Sequence, residues 1–140
     1  MQAVATWRKG HEFLLEDGRA HSLLVDVSPE DGGMSSGTTA AELSVLALAG
    51  SLASTFLAVA HKHHLECGGL SVVLEGDPLS TAPESRSIRG ILRLRTRADR
   101  SEVDAILSAT LEICPVSRLF REAHVPMTLS VVVTPGPRPG

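Results

Sequence analysis

The sequence predicts an α+β domain built in the order β-β-β-α-β-β-α-β. Three observations carry that prediction. Strand-like and helix-like stretches fall in segregated runs instead of alternating one by one. One long apolar stretch, residues 40–64, keeps helical spacing and is interrupted only by Gly50. Hydrophobic residues make up 43 % of the chain and aromatics only 3 %, so the core has to be assembled from Leu, Val, Ile and Ala. A chain of 140 residues has the length of one domain. That domain is expected over residues 1–134, with residues 135–140, rich in Pro and Gly, as a disordered tail.

The first third reads as strands. Residues 3–7 form a short candidate. Residues 11–16 and 20–27 flank Asp17-Gly18, a turn signal because glycine accepts positive φ. In the third strand Leu23, Val25 and Val27 alternate with Ser22, Leu24 and Asp26. Residues 28–37, SPEDGGMSSG, combine Pro, Gly, Ser and Asp and are expected to form a loop.

The loop feeds the long helix. Thr39 and Glu42 stand at capping-box spacing, each able to satisfy an orphan amide of the first turn. The helix is expected to run to about His64, on the order of 38 Å at 1.5 Å per residue. Val45, Leu48, Leu52, Phe56 and Val59 make a bulky stripe along it. Ala40, Ser44, Ala47, Ser51, Ser54 and Ala58 make a small one. The small stripe either lets another backbone approach closely or leaves room for a ligand. Length and hydropathy alone also fit a membrane span, but Glu42 inside the run is costly in lipid, and a buried central helix is the better expectation.

Beyond Gly68-Gly69, residues 70–75 and 88–96 read as strands joined by a polar loop. In the second, Ile88, Leu92 and Leu94 share a face with Gly90, while Arg89, Ile91, Arg93, Arg95 and then Arg97 take the other. A row of arginines on a solvated sheet face explains itself without nucleic acid. A second helix is expected from about Ser101, with Asp104 in a capping arrangement. Val103, Ile106, Leu107, Thr110 and Cys114 recur along it until Pro115 interrupts it, and residues 116–122 continue as a short helix. Residues 125–133 close the fold as a strand with Met127, Leu129, Val131 and Val133 on one side.

Net charge is −3, which disfavours a general nucleic-acid binder. Residues 1–10, MQAVATWRKG, lack the apolar core of a secretory signal. Two cysteines, Cys67 and Cys114, cannot staple a secreted scaffold and suit a reducing, cytoplasmic setting, with no membrane partner. His61, His63 and His64 crowd the end of the long helix, where cations already complement the helix dipole. No carboxylate or cysteine is clearly placed to complete a zinc site with them, so neither a metal nor a cofactor is expected.

Four short motifs occur in order and at compatible spacing. They are GGMSSGTTAAEL from Gly32 to Leu43, ALAGS from Ala47 to Ser51, EGD from Glu75 to Asp77, and ICPVS from Ile113 to Ser117. Together they make the chain resemble the OsmC/Ohr family over almost its whole length. The resembled motifs read P-x-E-L, with Thr39 or Ala40 here in the proline's place, A-L-A-G-C, E-G-D and x-C-P-V-S. The resemblance implies an intertwined homodimer of OsmC-like fold that reduces small organic hydroperoxides with two cysteines at the dimer interface. It implies that the cysteine at the place of Ser51 attacks the peroxide and that the one at the place of Cys114 resolves the sulfenic acid. It further implies that a glutamate matching Glu42 and an arginine, Arg19 or Arg8, organise the attacking sulfur.

Ser51 departs from that pattern. A hydroxyl has no sulfenic acid state and forms no persistent anion near neutral pH, so Ser51 cannot take the attacking role. No nucleophile elbow surrounds it. Its expected state is a small helix residue bonded back to a carbonyl of the preceding turn. Cys67 lies about 24 Å further along the helix axis if the helix runs that far, too distant within one subunit. Cys114 is the remaining sulfur, either an inert buried residue or a thiol that a peroxide can oxidise. Three functions stay open: a redox protein with altered thiol chemistry, a module that holds a small apolar ligand without turnover, and a purely structural dimer.

Overall fold

The computed structural model describes residues 1–136. The chain forms two compact units, one of Met1–Ser44 and one from Val45 on.

The first unit is an antiparallel meander of β1 (Val4–Lys9), β2 (Glu12–Glu16) and β3 (Ser22–Val25). Gly10, at φ 49, turns β1 into β2, and Gly18, at φ 74, helps turn β2 into β3. Asp17 tightens that second turn by accepting the backbone N–H groups of Arg19 at 2.7 Å and His21 at 3.2 Å. β3 is shorter than the expected 20–27. Ala20 takes φ 67, and beyond Val25 the chain leaves the sheet, as the Asp26 N–H bonds to Thr38 O.

Asp26 is the one buried residue among residues 1–44. Its carboxylate accepts the N–H groups of Val27 at 2.8 Å, Met34 at 2.9 Å and Ser36 at 3.1 Å, and the Ser36 hydroxyl at 3.0 Å. One side chain thereby closes the loop of residues 26–36. The Ser36 and Met34 amides hold its carboxyl down at about 2. Gly33 is required in this loop because a Cβ there would lie 2.0 Å from Val27 O.

The helix α1 (Ala40–Lys62) starts as expected. The Thr39 N–H donates to Glu42 Oε2 at 2.8 Å, and the Glu42 N–H donates to Thr39 Oγ1 at 3.1 Å. It ends at Lys62 and not at His64. His64 turns left-handed at φ 57, and the Leu65 N–H reaches back to Ala60 O at 2.9 Å, which closes the helix in a Schellman motif.

The second unit holds most of α1, the sheet β4 (Gly69–Gly76), β5 (Ile88–Thr96), β6 (Met127–Pro135), and helices α2 (Arg100–Ile113) and α3 (Pro115–Glu122). β5 is central, antiparallel to β4 and parallel to β6. Ile88, Leu92, Leu94 and Thr96 are buried, and Arg89, Arg93, Arg95 and Arg97 point outward, as the alternation predicts. The helices cover the inner face in two clusters. One joins Phe56, Val59 and Ala60 to Leu92, Leu94, Val103, Ile106, Leu107 and Val131. The other joins Leu48 and Leu52 to Ile88, Cys114, Phe120 and Val125.

Three expectations need correction. α2 is capped by Asp99 with Glu102, not by Ser101 with Asp104; Asp104 instead accepts from Arg100 Nε at 2.9 Å. β6 carries Pro135, and the Gly136 N–H bonds to Thr96 O, so these two residues of the expected tail are ordered; the rest of it, residues 137–140, lies outside the described residues. The long helix is also not buried all round. It is long and apolar enough to cross a membrane, yet 28 % of its most apolar window is buried, because a helix laid on one sheet covers one side only. Leu46 and Leu57 stand exposed on its open side.

Two outcomes are expected. Gly90→Ala would set a Cβ 2.4 Å from Leu74 Cδ2 and 2.9 Å from Val73 O. It should cost about 1–3 kcal/mol in chemical denaturation. The carboxyl of Asp26 sits below its ordinary value in the folded chain, at about 2. Its stabilising charge is therefore complete above the ordinary carboxylate range and is lost as pH falls from about 4 toward 2. Amide exchange at Met34 and Ser36 should accelerate over that window, and Asp26→Asn should remove the pH dependence.

Candidate functional site

The site forms where α2 gives way to α3. Pro115 has no N–H to continue a helix, and it pushes the residue before it toward extended geometry. Cys114 accordingly takes φ −61 and ψ 117, serving both as the C-cap of α2 and the N-cap of α3. Its own N–H still reaches Thr110 O at 2.8 Å, and its carbonyl accepts the Arg118 N–H at 3.1 Å. The backbone of Cys114 is thus fixed from both helices, and its side chain is driven into the cluster around Leu48 and Leu52.

There it meets Ser51. The Ser51 hydroxyl lies 3.2 Å from Cys114 Sγ, a hydroxyl–thiol hydrogen bond in which either group can donate. This corrects the expected back-bond of Ser51 to its own helix. Ser54 makes that back-bond instead, donating to Gly50 O at 2.8 Å. Ser51 is half-buried and Cys114 is wholly buried. Two residues 63 positions apart in sequence are thus joined side chain to side chain.

The other candidates bind within their own neighbourhoods. Glu42 is engaged by the Thr39 N–H and by the Thr38 hydroxyl at 3.1 Å, and the Thr39 amide and hydroxyls hold its carboxyl below the usual range. Arg19 donates through Nε to Asp17 at 3.2 Å with its side chain 80 % exposed. His21 also pairs with that carboxylate, and it is the main reason Asp17 sits below its ordinary value. Arg8 is exposed on β1. No ion pair joins Glu42 to Arg19 or Arg8 among the described residues.

Cys67 belongs to a different place, an open groove of about 800 Å³ lined also by Leu57, His61, His64, Arg95 and Thr96. Partial burial pushes its thiol up, toward the neutral form. Among the described residues no group of three or more His, Cys, Asp or Glu is placed to hold a metal ion.

Sequence reasoning passed over Ser117. It sits on the first turn of α3, three residues after Cys114, and its hydroxyl is buried with no hydrogen-bond partner among the described residues. The available signal was the C-x-x-S spacing, in which the third residue of a helix faces the cap. Asp26 was likewise read as a strand residue, because one carboxylate closing a loop has no periodic signature.

Position 51 of a long apolar helix thus stands against a Cys-Pro cap. Residues 32–130 match the family described as OsmC-like protein, and the chain belongs to that family. The OsmC-like protein of Mycoplasma pneumoniae has the same fold, with TM-score 0.79 at 15 % identity over 97 % of this chain and 96 % of that one. An organic hydroperoxide resistance protein OsmC from Legionella pneumophila matches with TM-score 0.67 at 18 % identity, covering 96 % of this chain and 97 % of its own. The organic hydroperoxide resistance protein OhrB of Bacillus subtilis matches with TM-score 0.62 at 15 % identity over 96 % and 98 %. Among curated proteins, none matches the sequence.

The two sulfurs should be separable by accessibility. In the native protein Cys67 should react with an aromatic disulfide reagent while Cys114, fully buried, stays protected. Both should react in denaturant. Equal labelling rates in the native state would show that Cys114 is open to solvent.

Proposed function

We propose that this protein acts on small organic hydroperoxides at the Ser51–Cys114 pair, without the two-cysteine cycle. The observation that carries the reading is the 3.2 Å contact between Ser51 Oγ and Cys114 Sγ. A disulfide needs a separation of about 2 Å, so a sulfur at position 51 would stand about 1 Å from bonding distance. The names of the Legionella and Bacillus proteins supply the substrate class. With oxygen at position 51 no disulfide can close, and the reaction left is that of one cysteine. The Cys114 sulfur attacks the terminal peroxide oxygen, the S–O bond forms as the O–O bond breaks, and the thiol proton leaves with the alcohol. A small external thiol then displaces the oxygen as water, and a second frees Cys114. Because Cys114 is buried, this reaction is slow and gated by local opening.

The proposed active form is a homodimer in the cytoplasm. Val4, Trp7, Phe13, Leu23 and Leu24 of the first unit and Leu46 and Leu57 of α1 are exposed large apolar residues; a second copy would remove them from water. Glu42, and Arg19 or Arg8, are carried in the proposal by motif position and by no contact described above. The second reading, a module that holds a small apolar ligand without turnover, is favoured by the complete burial of Cys114.

Ser51→Cys separates the readings. It is expected to form a 51–114 disulfide on addition of cumene hydroperoxide, seen as loss of both thiols, and to raise dithiol-dependent peroxide consumption by roughly a hundredfold or more. No gain would sink the assignment of the site. The slow turnover of the unchanged protein should vanish in Cys114→Ala; equal rates in those two proteins favour the binding module.

A further inference from the structure

Ser117 is 1 % exposed and its hydroxyl has no hydrogen-bond partner among the described residues. Leaving a buried hydroxyl unpaired is costly, and folds rarely keep one without a use for it. The structure offers no local reason for a hydroxyl there. The neighbours of this α2–α3 corner are apolar: Leu48, Leu52, Ile88, Phe120 and Val125. An alanine would fill the position with no orphaned atom.

Ser117 and Phe120 are the buried residues of α3, and Cys114 is its buried N-cap. Spacing of three places Ser117 and Phe120 on one side of α3, and Ser117 is at the third helical position, the one a capping residue faces. The Cys114 sulfur already has one hydroxyl on it, that of Ser51 at 3.2 Å. Ser117 follows Cys114 by three residues at the start of the same helix, and no hydrogen bond joins the two side chains. An oxygen atom added to Cys114 would enter a closed apolar cluster, where it would need hydrogen-bond partners of its own.

We infer that Ser117 is a positioning residue for the oxidised state: with Ser51 it holds the oxygen of a Cys114 sulfenic acid until an external thiol reduces it. This rests on the one-cysteine reading above. When a hydroperoxide oxidises Cys114, the sulfur loses two electrons and gains the terminal oxygen, and the alcohol leaves with the thiol proton. The new S–O–H group donates to one serine and accepts from the other. Held in this way the sulfur's remaining lone pairs are shielded from a second peroxide, so that oxidation stops at one oxygen instead of climbing to the sulfinic acid. The orphaned hydroxyl of the reduced protein is then the acceptor or donor that this later state uses.

The test compares the unchanged protein with Ser117→Ala and Ser117→Thr, each treated with excess cumene hydroperoxide and followed by intact mass and by dimedone capture at Cys114. The unchanged protein is expected to accumulate the species one oxygen heavier and to retain it. Ser117→Ala should pass on to the two- and three-oxygen species several-fold faster, and Ser117→Thr, which keeps the hydroxyl, should restore retention. Ser117→Ala should melt no lower than the unchanged protein, since it removes an unpaired buried group; that separates this role from a packing role. Equal progress of Ser117→Ala and the unchanged protein through the oxidation series overturns the inference while leaving the one-cysteine reading standing. Absence of any oxygen on Cys114 in all three proteins overturns both.

Discussion

The corner at Cys114-Pro115 is the constraint on which the site depends. A helix that ran unbroken from Arg100 to Glu122 would carry Cys114 past as one more interior position. Pro115 removes one N–H and forces extended geometry on its predecessor, and those two local effects split one helix into α2 and α3. The break costs little, because the Cys114 N–H and C=O are both still satisfied, one by each helix. The Cα–Cβ direction at the break is then fixed by backbone on both sides. Placing it on Ser51 follows from the cluster that Leu48, Leu52, Phe120 and Val125 build around it.

The partner across that contact is fixed by a different pattern. α1 is apolar nearly all round, and what distinguishes its sides is size. Its bulky stripe is legible in the sequence, and Leu48, Leu52, Phe56 and Val59 are all buried where the stripe predicted. Its small stripe admitted two readings, close approach or ligand room. At Ser51 the first holds: a small residue lets the α2–α3 corner come within hydrogen-bond distance. At Ser54 and Ala58 the same stripe is exposed. A stripe defined by spacing alone cannot say where along the helix a neighbour will arrive, because the neighbour is set by a segment 63 residues later in the chain.

The strands and helices were legible wherever period and punctuation agreed. β5 showed its alternation openly, and the Thr39–Glu42 cap was readable from two residues. Errors clustered where two local signals competed. Ser101 with Asp104 and Asp99 with Glu102 offer nearly the same capping pattern, and the earlier pair won because Asp99 adopts the extended geometry that a cap needs. Both α1 and α3 end on a left-handed histidine, His64 and His124, followed by a buried Leu65 or Val125. Histidine is an unusual residue for that conformation, so the α1 end could not be read in advance. The Ser51–Cys114 pairing was legible only through the motifs. Ser117 and Asp26 lay outside any period, since an orphaned hydroxyl and a loop-closing carboxylate are defined by what surrounds them in space.

Replacing one sulfur by oxygen leaves the packing of such a pair almost unchanged while changing what it can do. Serine and cysteine are close in size, and both can donate or accept across the 3.2 Å contact. A serine at position 51 therefore packs against Cys114 as closely as a cysteine would. A hydroxyl cannot close a disulfide, so the one sulfur at this contact is that of Cys114, buried and hydrogen-bonded to Ser51. Hydroxyls cannot resolve a sulfenic acid, but they can hydrogen-bond to it, and a dry, closed cluster strengthens such bonds relative to water.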